Sequence, residues 1–253
     1  MGAPLLWHFT FSHFAEKVRW ALDWKGVPHV RRPLLPGLHY PRVFWATGQP
    51  SVPVLWLDGR AIADSTKIIA ALEQRWPEPP LYPRDEGARE RALELEEFFD
   101  EGLGHHLRRV LMQQAFTAAD GAGTWAAVFA TGYGPGVRRA LSVSYPAMRA
   151  ILRWRYAINP ATAERSRAKV LAALERIEAT IPPSGYLVGD RFSVADLTAA
   201  ALFSPLVLPP EFPYPFRLET AAVFRNALAG RAAFRWVAEM YRRHRGASAE
   251  IAA

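Results

Sequence analysis

The sequence predicts a chain in two parts, an N-terminal α/β unit built on a small mixed sheet and a larger all-helical unit after it. Three observations carry this reading. Strand-like and helix-like apolar periods alternate over the first 76 positions; Pro77, Pro79, Pro80 and Pro83 then stiffen the chain; and the composition afterwards turns to long Ala, Leu, Glu and Arg stretches. A length of 253 residues, 50% of them apolar, suffices for one or two cores of ordinary size. The expected division is residues 1–78, a linker over 79–84, and residues 85–253.

The elements follow in order. Pro4 to Phe9 is apolar and extended, and Phe14, Val18, Ala21 and Leu22 then recur at helical spacing. Gly26 is placed to cap that helix at its C-terminus, and Pro28 opens a second extended segment running to about Leu35. The Pro- and Gly-rich stretch that follows reads as irregular. Beyond it, Pro53–Leu57 and Arg60–Ala63 flank Asp58-Gly59, a dipeptide suited to a type I′ hairpin. Ser65 begins a run with Ile69, Leu72 and Trp76 on one face, which stops before Pro77. The order β-α-β then β-β-α is that of a thioredoxin-like domain. In the second half, residues 86–112, 161–181, 193–203 and 231–245 read as helices. Between 116 and 159, Gly121, Gly123, Gly132, Gly134, Pro135 and Pro146 interrupt the period, so helices with irregular breaks are expected there.

Composition removes several function classes. The chain has no cysteine, which excludes disulfide scaffolds, thiolate zinc sites and chemistry on the protein's own sulfur. His105 and His106 are adjacent, not four apart, so they do not present a metal pair on one helix face, and no metal is assigned. The net charge of +7 could draw anionic partners. Its most concentrated run, Arg242-Arg243-His244-Arg245, reads as a solvated helix end and not as a nucleic-acid patch. The longest nearly uncharged stretch, from Leu197 to Glu211, is broken by prolines and too short to span a bilayer, and the N-terminus lacks the features of a secretory signal. A cytoplasmic protein with no membrane segment is expected.

The chemistry-bearing residues lie in the first domain. Ser12 stands just before the first helix, where unpaired backbone N–H groups and a partial positive charge favour an anion such as a thiolate. Taken alone, Ser12 is equally an ordinary N-cap. Pro53 sits at the very start of a strand; a cis Val52–Pro53 bond would turn the N–H and C=O of Val52 outward, free to pair with a peptide-like ligand. Asp64 and Ser65 open the next helix with a carboxylate, a hydroxyl and N–H groups, suited either to capping or to a ligand carrying both an ammonium and a carboxylate.

Together, the segments Ser12-His13-Phe14-Ala15-Glu16-Lys17-Val18-Arg19, Val52-Pro53-Val54-Leu55 and Asp64-Ser65 resemble, in order and spacing, the N-terminal domain of the cytosolic glutathione transferases over about residues 4–76. The segment Gly189–Leu197, with Ser193 and Asp196 placed as a capping pair, resembles a helix-capping segment of the same family. The resemblance implies glutathione as co-substrate, its sulfur facing Ser12. It implies that Val52 and Pro53 hold the cysteinyl backbone, Asp64 and Ser65 the γ-glutamyl end, and His39 and Gln49 the glycyl end. A small-molecule apolar electrophile, a homodimer and a role in detoxification are implied with it. His13 replaces the proline that often follows the family's catalytic residue, and Ser51 replaces a longer polar residue. Thr10 as a substitute hydroxyl and His13 as a nearby base stay open. Phe98, Phe99, Trp125 and Phe129 are candidates for the apolar pocket. A non-catalytic glutathione-binding or scaffold protein is the alternative reading.

Overall fold

The computed structural model describes residues 2–131, 133–214 and 218–252. Strand β1 (Leu5–His8) leads into helix α1 (His13–Trp24), β2 (Val30–Pro33), α2 (Tyr40–Thr47), the hairpin strands β3 (Val54–Leu57) and β4 (Arg60–Ala63), and α3 (Ser65–Arg75). The four strands lie in the order β2-β1-β3-β4, with β1 and β2 parallel and the other pairs antiparallel. Asp58 and Gly59 both take positive φ, 49° and 80°, as a type I′ turn demands.

Side-chain alternation along the strands sets the layers. Leu6 and Leu55 point to one face, where they join Val18, Leu22, Ile69 and Leu72 of α1 and α3; Trp7 and Val54 point to the other, against Val43 of α2. The stretch expected to be irregular thus contains a helix. It is only eight residues long, with Pro41 in its first turn and Gly48 as its C-cap, so the Pro- and Gly-rich sequence around it reads as a break.

The described residues of the second half contain helices and no strand of the sheet: α4 (Glu86–Phe99), α5 (His105–Thr117), α6 (Gly121–Phe129), α7 (Pro135–Arg155), α8 (Pro160–Thr180), α9 (Val194–Val207), α10 (Ala222–Leu228) and α11 (Ala232–His244). The single helix expected over 86–112 is two, joined by a π-helical turn at Asp100–Gly104. Residues 116–159, expected to hold helices with irregular breaks, do so: α6 and α7 are separated from each other and from α5 and α8 by short non-helical stretches. Pro146 sits inside α7 without ending it, and Gly132 lies outside the described residues. Helix α9 is buried on every side and forms the centre of the molecule, packing against α1, α4 and α11. At its start the Asp196 carboxylate accepts the Ser193 N–H at 2.9 Å and the Leu187 N–H at 2.7 Å, the reach-back that the sequence suggested.

The basic run near the C-terminus is not uniformly solvated. Arg242 and Arg243 pair with Glu239 at the surface, but Arg245 is buried and pairs with Glu16 at 2.6 Å and Asp23 at 2.8 Å. The chain then runs beside β2, with His29 donating its N–H to Ala249 at 3.3 Å and Ile251 donating to His29 at 2.9 Å. Among the described residues, no helix is long and apolar enough to cross a membrane.

Candidate functional site

Ser12 takes extended backbone angles ahead of α1, and its Oγ accepts the Ala15 N–H at 3.3 Å. A hydroxyl that accepts at one lone pair still has its proton to donate, so capping the helix leaves Ser12 free to serve a second partner. The side chain is half-buried and lines a cavity of about 180 Å³ between the sheet end and α5–α7. That cavity is chiefly apolar. Phe129 stacks on Trp125, with ring centroids 3.7 Å apart, and meets Phe11 at 4.0 Å, and all three line it. Phe98 and Phe99 do not: Phe99 is fully buried in the core and Phe98 is turned partly to solvent.

A wider groove of about 980 Å³ runs along the other side of the cis-proline loop, lined by Gln49, Pro53, Asp64 and Ser65. Ser51 and Val52 line both spaces, so the groove and the cavity meet at that dipeptide. The Val52–Pro53 bond is cis, and the Val52 N–H and C=O have no hydrogen-bond partner among the described residues. Asp64 takes φ +81°, an unusual conformation for a residue with a side chain, and its Oδ1 accepts the N–H groups of Thr66 and Lys67 at 3.0 and 3.1 Å. Ser65, the first residue of α3, is buried and lines the groove.

The remaining candidates are placed as follows. Gln49 brackets the neighbouring backbone: its Nε2 donates to the Ser51 carbonyl at 2.8 Å and its Oε1 accepts the Ser51 N–H at 2.6 Å. The amide thereby shapes the loop ahead of the cis-proline. His39 lines the cavity near Phe9; burial lowers its pKa, and hydrogen bonds to the backbone of Leu35 and Pro50 act against that. Thr10 is buried and lines neither space. His13 donates from Nε2 to the Gly104 carbonyl at 3.1 Å; burial and then the charge of Arg108 bring its pKa down to about 3. A ring so weakly basic is poorly matched to proton abstraction at neutral pH. Lys17 stands behind the groove, paired with Glu96 at 2.8 Å and Asp100 at 2.6 Å and bonded to Thr66 at 3.1 Å, which ties α1, α3 and α4 together beneath it. Among the described residues no group of His, Cys, Asp or Glu is arranged to hold a metal ion.

The cavity also contains polar residues that sequence reasoning missed. Arg108 on α5, Arg155 at the end of α7, Tyr156 and Tyr40 all line it. Nothing in the sequence distinguishes these arginines from the rest of the 31 Lys and Arg residues.

Two family models match the chain. Residues 6–80 match the family described as glutathione S-transferase, N-terminal domain, and residues 160–238 match glutathione S-transferase, C-terminal domain. No protein of curated function matches the chain. Among solved structures, a glutathione S-transferase from Methylobacterium radiotolerans, in complex with glutathione sulfonate, is 23% identical with a TM-score of 0.57, covering 92% of this chain and 93% of that one. The beta-etherase LigF from Sphingobium sp. is 22% identical with a TM-score of 0.60, over 94% and 99%. Glutathione transferase GSTFuA3 from Phanerochaete chrysosporium is 15% identical with a TM-score of 0.65, over 96% and 97%.

Proposed function

The chain belongs to the glutathione S-transferase family, and on that footing we propose that it catalyses attack of the glutathione thiolate on an apolar electrophile held in the aromatic cavity. The observation that carries this reading is the meeting of the two spaces at Ser51-Val52. A tripeptide lying in the groove, paired with the free Val52 backbone edge and anchored by Asp64 and Ser65, would end with its sulfur at the cavity mouth, where Ser12 stands. His39 and Gln49 are proposed to border the glycyl end, His39 from the cavity wall and Gln49 through the loop it shapes.

The energetics are adequate. A free thiol has a pKa near about 8.5, and lowering it by ~2 units requires about 2.7 kcal/mol. A hydroxyl donating to a charged acceptor offers roughly 1.5–3 kcal/mol, and the N-terminus of α1 adds up to about 1 kcal/mol. On binding, the thiol loses its proton to solvent. The thiolate lone pair then forms a C–S bond, and the leaving group departs with its bonding electrons. Ser12 holds charge in this step and exchanges no proton.

Replacing Ser12 with Ala should raise the thiol pKa of bound glutathione by about 1–2 units and lower the conjugation rate about tenfold or more at neutral pH. The thiolate absorbance of the binary complex across pH, with a generic aromatic electrophile as rate probe, reads both. An unchanged thiol pKa and rate would remove Ser12 from the chemistry. Retention on immobilised glutathione without turnover would instead favour the non-catalytic binding protein. The family's usual pairing makes a homodimer the proposed assembly, which sedimentation would test.

A further inference from the structure

The interior of this protein pairs its cations with care. Lys17, Lys25, Arg19, Arg31 and Arg245 are all buried, and each has a carboxylate within 2.9 Å. Arg108, half-buried on α5, and Arg155, exposed at the end of α7, are held differently. Neither has a carboxylate partner among the described residues, although both line an otherwise apolar cavity. The Arg108 guanidinium lies 4.2 Å from the ring centroid of Tyr156 and, among the described residues, hydrogen-bonds His105 Nδ1 at 3.0 Å. Arg155 lies over the same ring at 5.7 Å and over Tyr40 at 5.5 Å. The adjacent Arg109 is turned away, donating to the Tyr156 carbonyl at 3.1 Å and to Ser166 Oγ at 2.8 Å. Both guanidinium groups therefore approach one phenol ring, Arg155 also hydrogen-bonding the Tyr156 side chain, with no carboxylate among the described residues to answer them.

A cation withdrawn from water without an opposite charge is unfavourable, and a second cation beside it adds repulsion. Burial is the main cause lowering the Arg108 pKa; Tyr156 opposes it, and Arg109 and Arg155 add to the lowering, whereas the exposed Arg155 is raised by its bond to Tyr156, so the unfavourable burial lies at Arg108. An incoming anion would relieve both effects, and a planar carboxylate matches the guanidinium fork. We infer that Arg108 and Arg155 form an anion-recognition site in the cavity wall, and that the electrophile is an amphiphilic acid, an aromatic or alkyl body carrying a carboxylate. The aromatic wall takes the body and the arginine pair takes the charge, leaving the reactive carbon toward Ser12. This inference rests on the transferase reading only for the word electrophile; the anion site itself is a statement about binding.

The test uses two matched pairs of probes on the full chain. For turnover, 4-chloro-3-nitrobenzoate is compared with its neutral amide, which keeps the ring and leaving group. For binding without reaction, 3-nitrobenzoate is compared with 3-nitrobenzamide by calorimetry on the glutathione-saturated protein. The acid should be favoured over the amide by about tenfold or more in both measurements, the scale of one charge-assisted hydrogen bond. Arg155→Gln, at an exposed position, should reduce that preference several-fold, and Arg108→Gln should abolish it; thermal unfolding verifies that each variant is folded.

If the amide is turned over and bound as well as the acid, the anion site is refuted while the transferase function stands. If neither is turned over but the acid still binds preferentially through the two arginines, the site stands and the catalytic reading falls. If the variants lose affinity for glutathione and keep the acid-to-amide ratio, the arginines serve a carboxylate of glutathione itself, and the inference is overturned.

Discussion

His13 shows how far one side chain's surroundings redirect its chemistry. Beside Ser12 in sequence, it could have been a base; buried, donating to Gly104 and facing Arg108, it is held neutral with a pKa of about 3. In the unfolded chain the same ring titrates near its ordinary 6.5. The unfolded state therefore binds the proton more readily. The stability that the neutral ring contributes is complete above about pH 6.5 and is lost progressively as pH falls toward 3. Burial lowers the pKa of His8 and His29 in the same direction, so acid sensitivity is shared among the three. His13→Gln keeps a donor for Gly104 but cannot titrate. Its urea midpoint should fall less than that of the unsubstituted chain between pH 7 and pH 5, and equal falls would mean that His13 does not drive the acid limb. Among the site residues, Ser12, Val52, Pro53, Asp64 and Ser65 were legible because each marks a local backbone event that sequence spacing records. Arg108 and Arg155 were not, because what sets them apart is their place on the cavity wall, a property of the folded chain alone.

At the scale of elements, the π-helical turn between α4 and α5 is the feature that periodicity could not show. The apolar pattern continues smoothly from Leu95 and Phe99 through Leu103, Leu107 and Val110, all buried, so one helix is the natural reading. The turn follows from a tertiary contact. A Cβ at Gly104 would come within 2.3 Å of Phe14 Cζ and 3.0 Å of two more atoms of that ring, so only glycine lets α1 approach the junction this closely. That approach brings the Gly104 carbonyl to His13, on the helix that Ser12 caps. Gly104→Ala should destabilise by about 1–3 kcal/mol through overpacking, despite the better helix propensity of alanine. Phe14→Leu should restore part of the loss in the double variant, giving a coupling above about 0.5 kcal/mol in a denaturation cycle. Additive effects would place the cause of the turn elsewhere. The helix α2 was hidden for a different reason: it is eight residues long and lies between Pro41 and Gly48, which read as breaks.

Across the whole molecule, the thioredoxin-like sheet and the helical half share one apolar core, and the C-terminal segment closes it with charge. Trp20 of α1 is fully buried against Phe192 and Tyr241, and its indole N–H donates to the His244 carbonyl at 3.0 Å. Next to it, Arg245 joins Glu16 and Asp23, which also hold Arg19 and Arg31, so one guanidinium from the end of the chain completes a buried network begun by α1. Removing one member of such a network leaves charge uncompensated in the interior, at a cost of about 3–5 kcal/mol. Arg245→Leu should therefore lower the stability of the entire chain by that order, although the residue belongs to the sequence of the second half. Because the core is continuous, the loss should appear as a shift of one transition. Far-UV circular dichroism, dominated by the C-terminal helices, and tryptophan fluorescence should report the same midpoint before and after the substitution. Two separated transitions, with only one displaced in the variant, would show that the halves unfold independently and that Arg245 stabilises a local contact without joining them.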